Sequence, residues 1–183
     1  MVESGMLIST SNQPTRNTAF IDGQNLYSGT KEDNWAVDHV KFRIYLKDKY
    51  KVTEAYYFLG FESEDEQDLY NRLELAGFIL IFREHTLTQR GKKKGNVDSD
   101  IIFEIMKRLT DNELQGKVFI ISGDGDYRKI VDYLISKDRF GKMLFPNTKF
   151  ASSLYQTLGS EFFDFLNATD IREKIEYTHT KEP

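Results

Sequence analysis

Asp124 and Asp126 lie in the segment KVFIISGDGDYRKIVDYL, from Lys117 to Leu134. Val118 to Ile121 are apolar and β-favouring. Ser122, Gly123 and Gly125 break that pattern, and Tyr127, Ile130, Val131 and Leu134 then recur at helical spacing. The order reads as a buried strand, a tight acidic turn and an amphipathic helix. A continuously apolar strand suits a parallel sheet covered on both faces. In such sheets, sites form just beyond the carboxyl ends of the strands. Asp22 closes a second apolar run, Thr18 to Ile21. Asp98 lies near the start of a helical stretch, NVDSDIIFEIMKRL, from Asn96 to Leu109. On an ideal helix Asp98 shares a face with Ile102, Ile105 and Leu109, the side expected to meet the sheet. Carboxylates gathered at such a rim need a counter-charge, and a hard divalent cation is the natural one.

An aspartate in a turn or at a helix cap is ordinary by itself. Four of them, at two strand exits and one helix start, point to a site. Asn25, three residues after Asp22, could orient a phosphate or a metal-bound water, and Ser122 could do the same; both are also common turn residues. Asp100 and Glu104 fall on the other side of their helix and are expected to be solvated or peripheral. The loop from Arg83 to Gly95 carries Arg83, Arg90, Lys92, Lys93 and Lys94 against one acid, Glu84. Directly before Asp98, Lys92, Lys93 and Lys94 are candidate phosphate contacts, because basic side chains supply most non-specific nucleic-acid affinity.

The elements that must position these residues alternate along the chain. Strands are expected at 18–21, 52–61, 78–82, 118–121 and 142–145, with a short edge strand at 162–166. FIDGQNLY, Phe20 to Tyr27, reads as the first strand and its exit turn. Helices are expected at 38–50, after an acidic lead from Glu62 to Asp68 up to Gly77, at 96–109, after Tyr127, at 149–159 and at 169–177. Alternation of this kind implies a three-layer α/β/α domain with a mainly parallel central sheet and right-handed crossovers. The expected boundaries are a flexible tail over 1–16, one domain over 17–177 and a short tail over 178–183.

Composition removes several classes. There is no cysteine, so disulfides and thiolate metal sites are excluded. His39, His85 and His179 show no zinc spacing. No stretch is apolar enough to span a membrane. Residues Met1 to Arg16 lack a signal-peptide core, so the cytoplasm is the expected compartment. The net charge of -4 decides nothing about nucleic acid, since local patches do that. Neither a complete GxGxxG nor a Walker A pattern is present.

FIDGQNLY, KKKGNVDSDIIFEIM and ISGDGDYRKIVDYL together resemble, in order and spacing, the NYN domains of the LabA-like group in the PIN-like nuclease superfamily. The resemblance covers roughly residues 17–166. It implies a parallel central sheet, an acidic site for Mg²⁺ or Mn²⁺, and endonuclease activity on RNA. It places the family's aspartates at Asp22, Asp98, Asp124 and Asp126 and its asparagine at Asn25. Two departures stand out. Glu104 occupies a position that is often Asp, and Tyr127 replaces a frequent Phe, which reads as a mild change.

The resulting expectation is a metal-dependent ribonuclease with Asp22, Asp98, Asp124 and Asp126 as ligands. Asn25, Ser122 and Lys92 to Lys94 would contact RNA, in single-stranded form. Without an appended RNA-binding domain, substrate choice would fall to this domain, a homodimer or a protein partner. The alternatives are a catalytically weak RNA-binding module and a receiver-type phosphoacceptor domain. The receiver reading wants an acidic pair after the first strand, where Asp22 is followed by Gly23.

Overall fold

The run Asn17–Asp22 forms β1, buried along its whole length. Alternation sorts its side chains: Ala19 and Ile21 pack into one apolar layer and Phe20 into another. A computed structural model describes residues 16–83 and 97–178. The expected tails therefore lie almost entirely outside the described residues, as do Lys92, Lys93 and Lys94. The remaining strands are β2 (Val52–Leu59), β3 (Ile79–Phe82), β4 (Val118–Ile121), β5 (Phe140–Phe145) and β6 (Phe163–Phe165). They form one six-stranded sheet in the order β3-β2-β1-β4-β5-β6, with every pairing parallel.

Helices cover both faces. On one side, α1 (Gly23–Glu32), α2 (His39–Tyr50), α3 (Gln67–Leu75) and α6 (Thr169–Ile175) bring Leu26, Phe42, Leu46, Leu73, Ile171 and Ile175 against Ile21 and Ile121. On the other side, α4 (Asp98–Thr110) and α5 (Arg128–Ser136) bring Ile101, Ile105, Ile130, Val131 and Leu134 against Phe20 and Ile120. The fold is thus the three-layer α/β/α domain expected from the alternation. Its strand order reverses between β1 and β4, where crevice sites form in open parallel sheets. Receiver-type domains run in the order 2-1-3-4-5, so topology removes that alternative.

Three local expectations change. The exit turn after Asp22 is the first turn of a full helix, α1, capped by the Asp22 carboxylate accepting from the Asn25 backbone N–H at 2.9 Å. Residues 149–159 form no α-helix; short 3₁₀ turns at Thr148–Phe150 and Ser153–Tyr155 replace it. Here the chain is pulled onto the β4 turn instead. The Ser152 N–H donates to the Gly123 carbonyl at 3.1 Å, and the Tyr155 hydroxyl donates to the Asp124 carbonyl at 2.6 Å. Strand β5 begins at Phe140 rather than Lys142, so Gly141 is a strand residue. A Cβ there would lie 2.5 Å from the Phe119 ring, which accounts for the glycine.

Candidate metal centre

Strand β1 ends at Asp22, and β4 runs into the turn Ser122–Gly123–Asp124–Gly125–Asp126 beside it. The Asn25 side chain ties the two exits together. Its Oδ1 accepts from the Gly123 N–H at 2.7 Å, which fixes the amide orientation, because only the oxygen can accept. Within the turn, the Asp124 carboxylate accepts from the Asp126 N–H at 3.1 Å. Ser122 is fully buried, and its Oγ accepts from the Asp124 N–H at 3.2 Å. It was expected among the RNA contacts. Its burial makes it a builder of the turn instead.

Asp98 opens α4 and is 5% exposed, the same as Asp22. Its helix meets the sheet through Ile101 and Ile105, with Ile102 and Leu109 half-buried at the margin. The inner face is therefore centred slightly off the ideal-helix expectation, with the same consequence for Asp98. One carboxylate oxygen each from Asp98, Asp124 and Asp126 come within 4.8 Å of one another. Two oxygens on opposite sides of a divalent cation, each at about 2.1 to 2.4 Å, stand about that far apart. Three hard carboxylate donors with no sulfur or imidazole among them suit Mg²⁺ or Mn²⁺ chemistry.

Asp22 stands one step back. The hydroxyl of Tyr127 lies 2.6 Å from an Asp98 carboxylate oxygen, to which it donates, and 3.3 Å from Asp22 Oδ2. Tyr127 is fully buried. Burial, and then the charge of Asp22, push its ionisation far above the ordinary tyrosine value, so it stays a donor. Asp22 itself is pushed up to about 6, first by burial and further by the negative charge of Asp98, against the lowering effect of the Asn25 N–H. Sequence reasoning saw Tyr127 only as an inward aromatic and as a mild replacement for Phe. The available signal was its hydroxyl: a buried tyrosine needs a polar partner, and the partners in reach were the acids.

Glu104 is not part of this group. It pairs with Arg108 at 2.6 Å, whose guanidinium in turn covers the Tyr56 ring at 4.3 Å. Asp100 faces Arg83 at 4.0 Å and is partly exposed. Gly23, directly after Asp22, has a packing role. A Cβ there would meet Tyr57 at 2.5 Å and the Phe58 carbonyl at 2.8 Å, so it lets α1 start tight against β2. Beside the acids lies a cleft of about 390 Å³ lined by Asn25, Ser28, Gly29, Asp124 and Ser152 together with the backbone of Gly123 and Gly125.

A doubly wound parallel α/β domain with a carboxylate cluster at its strand-order reversal defines the class. Residues 17–165 match the family model of the NYN domain, and the chain belongs to that family, a branch of the PIN-like nucleases. It is LabA-like: it is 22% identical over 180 residues to the low amplitude and bright protein LabA of Synechococcus elongatus, with 93% of each chain covered. A crystal structure of a protein of unknown function from Vibrio parahaemolyticus superposes with a TM-score of 0.71 at 17% identity. It covers 91% of this chain and 99% of its own, and supports the fold alone. Among the described residues no helix is long and apolar enough to cross a membrane.

Proposed function

We propose that this chain is a metal-dependent endoribonuclease. The observation that carries the reading is the approach of Asp98, Asp124 and Asp126 to within 4.8 Å at the edge of an open cleft. Asp98, Asp124 and Asp126 would hold Mg²⁺ or Mn²⁺, with Asp22 held beside them through Tyr127. A bound divalent ion supplies a water of lowered pKa and a counter-charge for the phosphodiester oxygens. The chain's own residues supply the rest. The Asn25 Oδ1 is committed to Gly123, which leaves its Nδ2 as a donor for a phosphate oxygen at the cleft. Buried Asp22, with its raised proton affinity, can hold a proton at neutral pH more readily than an ordinary aspartate. Lys92, Lys93 and Lys94 would track the backbone of single-stranded RNA. The reading places the protein in the cytoplasm, with substrate choice resting on this domain, a second copy or a protein partner.

The test is cleavage of an end-labelled single-stranded RNA in Mn²⁺, in EDTA and by Asp124→Asn. The reading expects internal cuts that need the metal and vanish in the variant. Cuts that persist equally in EDTA and in Asp124→Asn belong to a contaminant. Binding without cleavage under any metal makes the protein an RNA-binding module. Changing Lys92, Lys93 and Lys94 together to Ala should flatten the salt dependence of binding, by roughly 0.7 in log–log slope per lost contact.

A further inference from the structure

At the opposite, amino-terminal end of the strands a second cavity, of about 290 Å³, lies between the ends of α4 and α5. Leu109, Asn112, Leu114, Tyr133, Lys137 and Arg139 line it. Both helices finish on a left-handed residue, Asn112 at φ 59° and Asp138 at φ 54°. These turns use the last carbonyls internally. Glu113 N–H donates to Arg108, Lys137 N–H to Tyr133 and Arg139 N–H to Leu134. Basic side chains at a helix end commonly bond those carbonyls; here the backbone has taken them. The nearby acids are also engaged: Asp138 with Lys117 at 2.6 Å, and Glu113 with Arg108 at 2.8 Å.

Two cations remain. Neither Lys137 nor Arg139 forms an ion pair among the described residues. The helix dipole accounts for a lysine in this place. It does not account for Arg139, which lines the cavity and reaches Asp138 only as a weak charge effect, the least of those acting on that acid. Its Nε is closed to solvent with no acceptor, so a phosphate would be met by the outer nitrogens of the guanidinium. The Arg139 backbone is pinned meanwhile, its carbonyl accepting from the Val118 N–H at 2.7 Å. Next to these cations Tyr133 exposes 41% of its surface, with the Lys137 ammonium 5.5 Å from its ring centre.

We propose that this cavity binds a nucleotide, with its phosphate on Arg139 and Lys137 and its base against Tyr133. Guanidinium and ammonium together select a phosphate, and an exposed tyrosine ring offers a stacking face that accepts any base. Leu109 and Leu114 give the site an apolar wall, and Asn112 an amide. The site stands apart from the aspartates and does not depend on the proposed cleavage.

Titration of the full chain with adenosine monophosphate in EDTA tests it, since EDTA removes any phosphate held by metal at the acidic site. Saturable binding is expected, at least about tenfold tighter than adenosine or inorganic phosphate alone. Arg139→Gln should weaken it about tenfold or more, and Lys137→Gln by a smaller factor. Tyr133→Ala should bring adenosine monophosphate towards the level of inorganic phosphate. Asp124→Asn should leave binding unchanged. If Arg139→Gln fails to fold, exposed Lys137→Gln carries the test. No saturable binding, binding indifferent to both cation variants, or binding lost in Asp124→Asn would overturn the proposal. Competition against a single-stranded RNA identifies the source. Displacement means that the site takes a nucleotide of a strand; no displacement means that it takes a free one.

Discussion

Helix α1 carries an aspartate at each end, and the two behave in opposite ways. Asp33, at the carboxyl end, accepts from Asn167 at 2.9 Å and pairs with Lys149 at 3.1 Å. Those two contacts hold its pKa below the ordinary value. Asp22, at the amino end, has the favourable pole of the dipole and a backbone N–H, yet is pushed up to about 6. The dipole alone predicts the reverse order. Burial and the neighbouring Asp98 outweigh it. The contrast separates acids that have basic partners among the described residues from acids that do not. Asp33 has a lysine, as do Asp138 and Asp164. Among the described residues neither Asp22 nor Asp124 pairs with any basic side chain, although cations are available elsewhere on the surface. On the proposed function, a divalent cation would be their partner.

The largest test of this difference is functional. Asp124→Asn should lower Mn²⁺-dependent RNA cleavage by about a hundredfold or more, because it removes a ligand and a charge together. Asp33→Asn should leave the rate within about twofold. If the two variants lose activity equally, the acids are not divided in this way.

Tyr127→Phe comes next. It removes a hydroxyl that meets both Asp98 and Asp22 while keeping the ring. Urea unfolding in EDTA should show a loss of about 1–2 kcal/mol, the usual cost of depriving a buried acceptor of its donor. The solvent-screened pair of Asp33 and Lys149 should lose much less on Asp33→Asn. A Tyr127→Phe variant as stable as the parent would mean that the acids share a proton without the tyrosine.

The pH dependence is smallest. The folded chain binds an extra proton at Asp22 between the ordinary aspartate value of 3.8 and about 6. Metal-free stability should therefore fall as pH rises through that window and level off above it. Asp22→Asn should remove the slope. Asp33 adds none there, since its lowered pKa moves its own transition below 3.8. A cation favours the deprotonated acid, so the rise in melting temperature caused by Mn²⁺ should grow between pH 5 and pH 7. At about 2–4 °C per kcal/mol for a domain of this size, scanning fluorimetry resolves it. A Mn²⁺ effect that is flat across this range would uncouple Asp22 from the metal.

The apolar runs ending at Asp22 and Ile121 are legible in the sequence because buried parallel strands admit only such residues. The sheet edge that gathers the aspartates follows from them. Helix α1 escapes notice for a local reason. GQNLYSGTKE holds two glycines and only Leu26 as an aliphatic anchor. Both glycines answer to distant packing, Gly23 against Tyr57 and Gly29 against Pro146, where a Cβ would meet the proline ring at 2.6 Å. Residues 149–159 fail in the opposite direction. Their local pattern permits a helix, but bonds to Gly123 and Asp124, about 30 residues away, hold them in short turns. Tyr127 was visible as a core residue. Its hydroxyl acquires meaning only once α4 is placed beside β1, which no local window of sequence contains.

The reversal of strand order between β1 and β4 also has a temporal consequence. Asp22 comes from the first half of the chain, and Asp98, Asp124 and Asp126 from the second. The seam joining them pairs residues 100 positions apart, as Thr18 does with Val118. Contacts so distant along the chain form late, because a long loop must close before they are rewarded. The two halves can each gather apolar surface first, and the mutual repulsion of the acids is deferred until they dock. A nascent chain ending before β4 holds β1, β2 and β3 but neither Asp124 nor Asp126, and so cannot assemble the cluster.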